Sequence, residues 1–290
     1  MTISSDALYS IKDSIKHGKT MTNTTVKKED AIKALVKNSV ETFANSFRDR
    51  HQIEVDNPNG TINMKIHNVF ISILGEEIQY YTALVRSFDS SLGNMLEKLA
   101  MNIASLSFQV KRSVEGTLSI EQTRKIAEIL ESYKRRERKP KVEDYQCLRT
   151  KHTTGLRSKR HDSDYYLIDK KTGVHSLIEL KIGGDLDNKK ARSEKEAILE
   201  QYAILSNTQK PDTTIQIYFA TAYNRFGEGK QWKQERVRQF FSQEELLIGK
   251  DFWNFVCKSD EGYDIVLETY KKHAPLIKQA LFSIKKTYLG

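Results

Sequence analysis

The 290-residue chain has 47 basic and 38 acidic residues, a net charge of +9, and is 38% hydrophobic and 29% charged. That balance describes a globular protein with enough chain for one large core or two smaller ones, and excludes a disordered or disulfide-stapled chain. No run approaches the roughly 18 apolar residues that span a bilayer, and the N-terminal stretch mixes acids into a segment lacking an apolar signal core. Cys147 and Cys257 show neither metal nor disulfide spacing, so buried thiols in a cytoplasmic protein are expected.

Residues 1–25 are polar and weakly patterned, which suggests a loose arm. Over residues 28–47, Ile32, Leu35, Val36, Val40, Phe43 and Phe47 recur at helical spacing. DNPNG at 56–60 has turn chemistry: Pro fixes φ, and Gly or Asn tolerates positive φ. The apolar run at 69–74 is expected to be buried, as helix or strand. Leu92, Met95, Leu96, Leu99 and Ile103 make residues 91–108 an amphipathic helix, and 123–134 reads as another. The first half is therefore mainly helical. Residues 134–160 then set eleven basic side chains, Arg160 the last, against three acids. Phosphate binding by counterion release is one use of such a run, and a solvated surface is the other.

Patterning changes near Asp164. Residues 165–169 and 174–182 read as strands joined by a four-residue loop, KTG preceded by Lys170. A helix follows, with Ser193 and Glu196 in the form of a capping box. TIQIYFATA at 214–222 is rich in β-branched and aromatic residues and reads as a third strand. Helical patterns resume at 240–256 and 266–284. The order β-β-α-β with helices on either side suggests a mixed central sheet flanked by helices. A second basic stretch, 225–238, contains two glycines. Its Arg225, Lys230, Lys233, Gln234, Arg236 and Arg238 offer the donors that read guanine and adenine edges or bind phosphates. Trp232 is expected to pack.

If the loop is residues 170–173, Asp169 pairs with Val174, and counting back pairs Asp164 with Glu179. Opposed residues on antiparallel strands share a face with Cβ atoms about 5 Å apart. Lys181, two residues on, shares that face as well. Two close carboxylates repel unless a cation joins them or one is protonated. Hard oxygen donors suit Mg²⁺, and a metal there would support hydrolysis of a phosphodiester by activated water. Lys181 would orient that water. The bland alternative is a surface hairpin with cross-strand charge pairs. Asp162 also precedes the strand; the register favours Asp164.

Asp164 followed by IELK at 178–181 resembles the PD-(D/E)XK nuclease signature, with Ser163 where that signature has Pro. ELKIGGDLDNKKARSEKE at 179–196, YFATAYN at 218–224 and WKQERVR at 232–238 resemble type II restriction endonucleases of the TdeIII kind. The resemblance implies a restriction-endonuclease-like α/β (α+β) core and a Mg²⁺-dependent enzyme of bacterial or archaeal cytoplasm. Such an enzyme cuts both strands of a short palindromic DNA site, GC-rich such as GGNCC. It acts as a homodimer, and a cognate methyltransferase protects the same site. It further implies a role at the metal for Glu97 on the preceding helix. Gln201, which shares a face of the following helix with Glu194, would meet the metal's water or the DNA backbone. The expected organisation is a helical region at 1–88, a catalytic core at 89–258 with a recognition segment near 223–240, and a helical segment at 259–290. The rivals are a repair or phage nuclease of the same chemistry and a DNA-binding protein with an inactive core.

Overall fold

The computed structural model describes the backbone of residues 5–150, 154–184 and 186–290, and the side chains of those residues from Val26 on, Asp164 excepted. The chain forms two compact units, Met1–Ser91 with Asp264–Gly290, and Leu92–Tyr263.

In the first unit, α1 (Ser5–Ile53) reaches back into the segment expected to be a loose arm. Ile32, Val36, Val40, Phe43 and Phe47 are buried, as their spacing predicts. The turn at 56–60 closes through Gly60 N–H donating to the Asn57 carbonyl at 2.8 Å. The run at 69–74 is not buried. It forms α2 (Val69–Ser72), capped by the Asn68 side chain, and most of its apolar side chains face solvent. Next come the first turns of α3 (Glu76–Ser105), which begins well before residue 91.

The second unit holds a five-stranded sheet in which β1 (Phe108–Ser119), β2 (Leu156–Asp169), β3 (His175–Leu180), β4 (Ile215–Thr221) and β5 (Leu246–Ile248) lie in chain order. The β1–β2 and β2–β3 pairs are antiparallel; β3–β4 and β4–β5 are parallel, so the sheet is mixed. Between β1 and β2 runs α4 (Ile120–Lys134), started by a capping box: Ser119 accepts from Gln122 N–H at 3.0 Å and Gln122 Oε1 accepts from Ser119 N–H at 3.1 Å. The β3–β4 crossover is α5 (Asn188–Thr208). It starts earlier than expected, because Asp187 accepts from Lys190 N–H at 2.8 Å and is the N-cap. Ser193 and Glu196 therefore lie inside the helix, and Glu196 pairs instead with Arg192 at 3.2 Å.

Strand alternation sorts the core. Tyr166, Leu177, Ile217 and Phe219 join Leu130, Ile198 and Leu205 of α4 and α5 in one apolar cluster. On the opposite face, Tyr165 meets Phe252 of the last elements of this unit, which run through α6 (Glu235–Arg238) and α7 (Lys250–Cys257), with ring centroids 6.2 Å apart. Residues 240–256 are thus not one helix: Gly249 (φ 55°) ends β5 and opens α7. Beyond α7, α8 (Gly262–Leu289) covers the helical stretch expected at 266–284. Cys257 is buried, but Cys147 is exposed. No helix among the described residues is long and apolar enough to cross a membrane.

Candidate active site

The β2–β3 hairpin has the expected register. Asp169 N–H donates to the Val174 carbonyl at 2.9 Å, and the ladder runs from Ile168↔His175 to Tyr165↔Ile178. Extended by one rung, that register would set the backbone of Asp164 opposite Glu179; the Asp164 side chain lies outside the described residues. Asp169 pins the loop by accepting from Lys171 and Thr172 N–H at 2.8 and 3.0 Å. Burial pushes its pKa up, but the Lys258 ammonium and those two amides outweigh it and hold the carboxyl well below the usual range.

On its other side β2 bulges: Lys111 pairs with Tyr166 but Ser113 with Asp162, so Arg112 alone spans Ser163, Asp164 and Tyr165. Bulges are enriched beside active sites, where they re-aim the chain.

Past the end of β3 the pairing continues, with Lys181 N–H donating to the Ala220 carbonyl at 3.0 Å. Glu179 and Lys181 share the α5 side of the sheet. Lys181 Nζ lies 2.5 Å from Glu179 Oε1 and 3.2 Å from Glu194 Oε1, bridging strand and helix. Glu179 is 13% exposed and Lys181 33%, so the pair is partly shielded yet open to a ligand. A turn closed by Gly184 N–H to the Lys181 carbonyl (3.0 Å) leads away. Gly184 has φ +62°, and a Cβ there would come within 2.4 Å of Trp232 and 2.7 Å of Thr221. Gly184→Ala is expected to lower stability by about 2–3 kcal/mol, from left-handed strain plus overpacking. Chemical denaturation would measure it, and a loss under about 0.5 kcal/mol would reject this account.

Other expected residues are more dispersed. The Tyr165 hydroxyl donates to the Glu97 carbonyl at 2.5 Å, which ties α3 to the face of the sheet opposite Glu179. Gln201 is buried on α5, and its Oε1 has no hydrogen-bond partner among the described residues. Arg225, Lys230, Lys233 and Arg236 are exposed; Gln234 is half-buried. Arg238 pairs with Glu235 at 3.0 Å, and Arg160 with the cross-strand Glu115 at 2.7 Å. Trp232 is buried against Phe226, as expected of a packing residue. Of the basic run, Lys151 lies outside the described residues.

Sequence reasoning missed two polar clusters. Glu200 lies 2.7 Å from Lys159 and 2.8 Å from His161 Nε2, the latter without hydrogen-bonding geometry. Lys195 and Glu245 form a fully buried ion pair at 2.6 Å. Neither follows a local spacing rule, since partners are 39 to 50 positions apart.

The two basic runs converge at the C-terminal end of α4. Gln239 Nε2 donates to the Tyr133 and Lys134 carbonyls at 3.2 and 3.0 Å. Beside it lies a cleft of about 420 Å³ lined by Arg136, Arg138, Lys139 and Arg238. The opposite end of α4 meets the end of α5, where Gln122 Nε2 donates to Asn207 at 3.0 Å. The cleft therefore belongs to the same end of α5 as Glu194 and to the end of the sheet that carries Lys181.

A mixed sheet between helical layers, with Glu179 and Lys181 at the end of a central strand, is a restriction-endonuclease-like α/β core. Residues 7–274 match the family model described as "Type II restriction endonuclease, HinfI", and the chain belongs to that family. The match does not extend to a TdeIII-like subfamily. No curated protein and no solved structure matches the chain. The protein is accordingly a restriction endonuclease, a nuclease whose substrate is DNA.

Proposed function

We propose that the protein is a type II enzyme that hydrolyses one phosphodiester bond in each strand of a short palindromic DNA site, with Asp164, Glu179 and Lys181 as its catalytic residues. The observation that carries this reading is the ammonium of Lys181 beside the Glu179 carboxylate, on the strand whose register leads to Asp164. Carboxylates of Asp164 and Glu179 are an all-oxygen donor set that suits Mg²⁺ in chemistry, whereas the helix of Glu97 packs on the opposite face of the sheet and adds no donor to this reading. Among the described residues no group of three or more His, Cys, Asp or Glu could hold a metal ion, so the fit rests on donor chemistry. A bound divalent cation would supply charge neutralisation at the scissile phosphate and a more acidic water.

The chain's own contribution follows from its geometry. Glu179 and Glu194 hold the Lys181 ammonium from two sides, which fixes the donor that orients the attacking water and favours its hydroxide form. The exposed cations of 225–238, with Arg160, approach phosphates and base edges, while Gln201 is buried on α5 and is not part of that surface. The cleft at Arg136 and Lys139 adds phosphate contacts at the same end of the unit. A two-fold site calls for a homodimer, and a methyltransferase modifying the same sequence would protect the host.

Purified protein incubated with unmethylated phage DNA and Mg²⁺ should give discrete fragments whose ends map to one sequence, GGNCC-like targets being the first to inspect. Chelation should abolish cutting. Nicking or progressive degradation would reject the type II reading, and no cleavage in Mg²⁺ would reject the site. The double change Arg136→Glu/Lys139→Glu should weaken binding across all sequences and flatten its salt dependence by about two phosphate contacts. An unchanged slope would remove the cleft from the interface.

A further inference from the structure

The unit formed by Met1–Ser91 and Asp264–Gly290 exposes an apolar surface that its own chain does not cover among the described residues. Phe70 and Ile73 are each 82% exposed, Leu74 63%, Ile78 41%, Val85 56%, and Phe282 of α8 71%. Ile78 and Val85 are seven residues apart on one face of α3. Val85, Tyr81 and Phe282 line one cavity of about 350 Å³. The short helix that carries Phe70 is fastened to the start of α3, where Gln79 Nε2 donates to the Ser72 carbonyl at 3.4 Å. Lys285, its ammonium 5.9 Å from the Tyr81 ring centroid, forms a polar rim.

Area identifies the kind of partner. A large aromatic side chain presents about 150–250 Å² and an aliphatic one somewhat less, so these six leave on the order of 700 Å² uncovered. The largest apolar patch on a typical monomer is about 300–600 Å². A standard stable interface buries about 800 Å² on each partner. A second copy of this chain meets both conditions through one patch, because a two-fold contact pairs a surface with itself. Two-strand cleavage also requires two active centres, and each chain supplies a single Glu179–Lys181 pair.

We infer that the α2 and α3 surface around Phe70, Ile73 and Val85, completed by Phe282, is the homodimer interface. The inference takes from the proposed function only the need for two centres. Sedimentation of the full chain at micromolar concentration, without DNA or Mg²⁺, should give twice the mass of one 33.5 kDa chain. Phe70→Glu/Ile73→Glu, and separately Val85→Arg, should raise the dimer dissociation constant at least 100-fold (about 2.7 kcal/mol) with unchanged circular dichroism. Hydrogen exchange of the wild type should slow over residues 69–85 as dimer forms, a readout that needs no variant. A monomeric wild type would overturn the inference, as would a dimer whose exchange over 69–85 does not depend on concentration. A patch covered by residues 1–25 of the same chain, or by a different protein, would give the monomeric result. Because none of these measurements involves cleavage, a failed nuclease assay would leave them standing.

Discussion

Glu179→Gln is expected to reduce cleavage at least 1,000-fold, roughly 4 kcal/mol of transition-state stabilisation, while DNA affinity changes by less than about tenfold. Glutamine keeps the volume and one acceptor oxygen, so strand β3 and its ladders to β2 and β4 stay in place. What disappears is a negative charge 2.5 Å from the Lys181 ammonium and, in the proposed reading, an anionic ligand for Mg²⁺. Binding should persist because it rests on exposed cations elsewhere, and loss of a carboxylate near a phosphate removes a repulsion. Glu194→Gln offers a graded comparison. It leaves the donor set intact and only loosens Lys181 from one of its two holders, so a fall of about tenfold is expected. Single-turnover cleavage with saturating enzyme and binding in Ca²⁺ separate the two quantities. If Glu179→Gln cuts at more than about a tenth of the wild-type rate, the site assignment is wrong.

The hairpin was legible because its signal is local. Loop length fixes register, register fixes faces, and Ile178 and Leu180 alternate with Glu179 and Lys181 over one continuous segment. The amphipathic helices were legible for the same reason. Strand β1 was not, since Lys111, Arg112 and Glu115 interrupt any apolar alternation, as an edge strand with a solvated side permits. Nor was the first part of β2, where Arg160 is stabilised in a strand by facing Glu115 across β1 rather than by burial. The run at 69–74 misled in the opposite sense, because apolar composition predicts burial without saying by which chain. Glu194 could be assigned a helix face from its spacing to Gln201, but its contact with Lys181 depends on how α5 lies on the sheet. The Lys195–Glu245 pair depends on packing between segments 50 residues apart and leaves no periodic trace.

That buried pair carries the second large prediction. Lys195 Nζ donates to Glu245 Oε1 at 2.6 Å and lies 4.6 Å and 4.3 Å from the ring centroids of Tyr145 and Phe241. Burial pulls the lysine pKa down and the adjacent carboxylate opposes that pull. Glu245 also accepts from Ser242 N–H at 2.7 Å and from the Tyr145 hydroxyl at 3.3 Å, so its charge is solvated by the protein. Lys195→Ala leaves an uncompensated carboxylate and a cavity in the layer between α5 and β5, and should lower stability by about 3–5 kcal/mol. Removing both charges with Lys195→Met/Glu245→Leu should recover most of that loss, because the desolvation penalty goes with them. The recovery will be incomplete, since Ser242 N–H and the Tyr145 hydroxyl each lose an acceptor. Urea midpoints for Lys195→Met, Glu245→Leu and the double form the cycle that isolates the coupling. Additive losses would mean that the pair is not coupled. The consequence for cleavage is positional: Lys195 follows Glu194 on α5, so loosening this anchor should lower the rate mainly through Lys181, and a folded Lys195→Met variant should lose activity without losing DNA affinity.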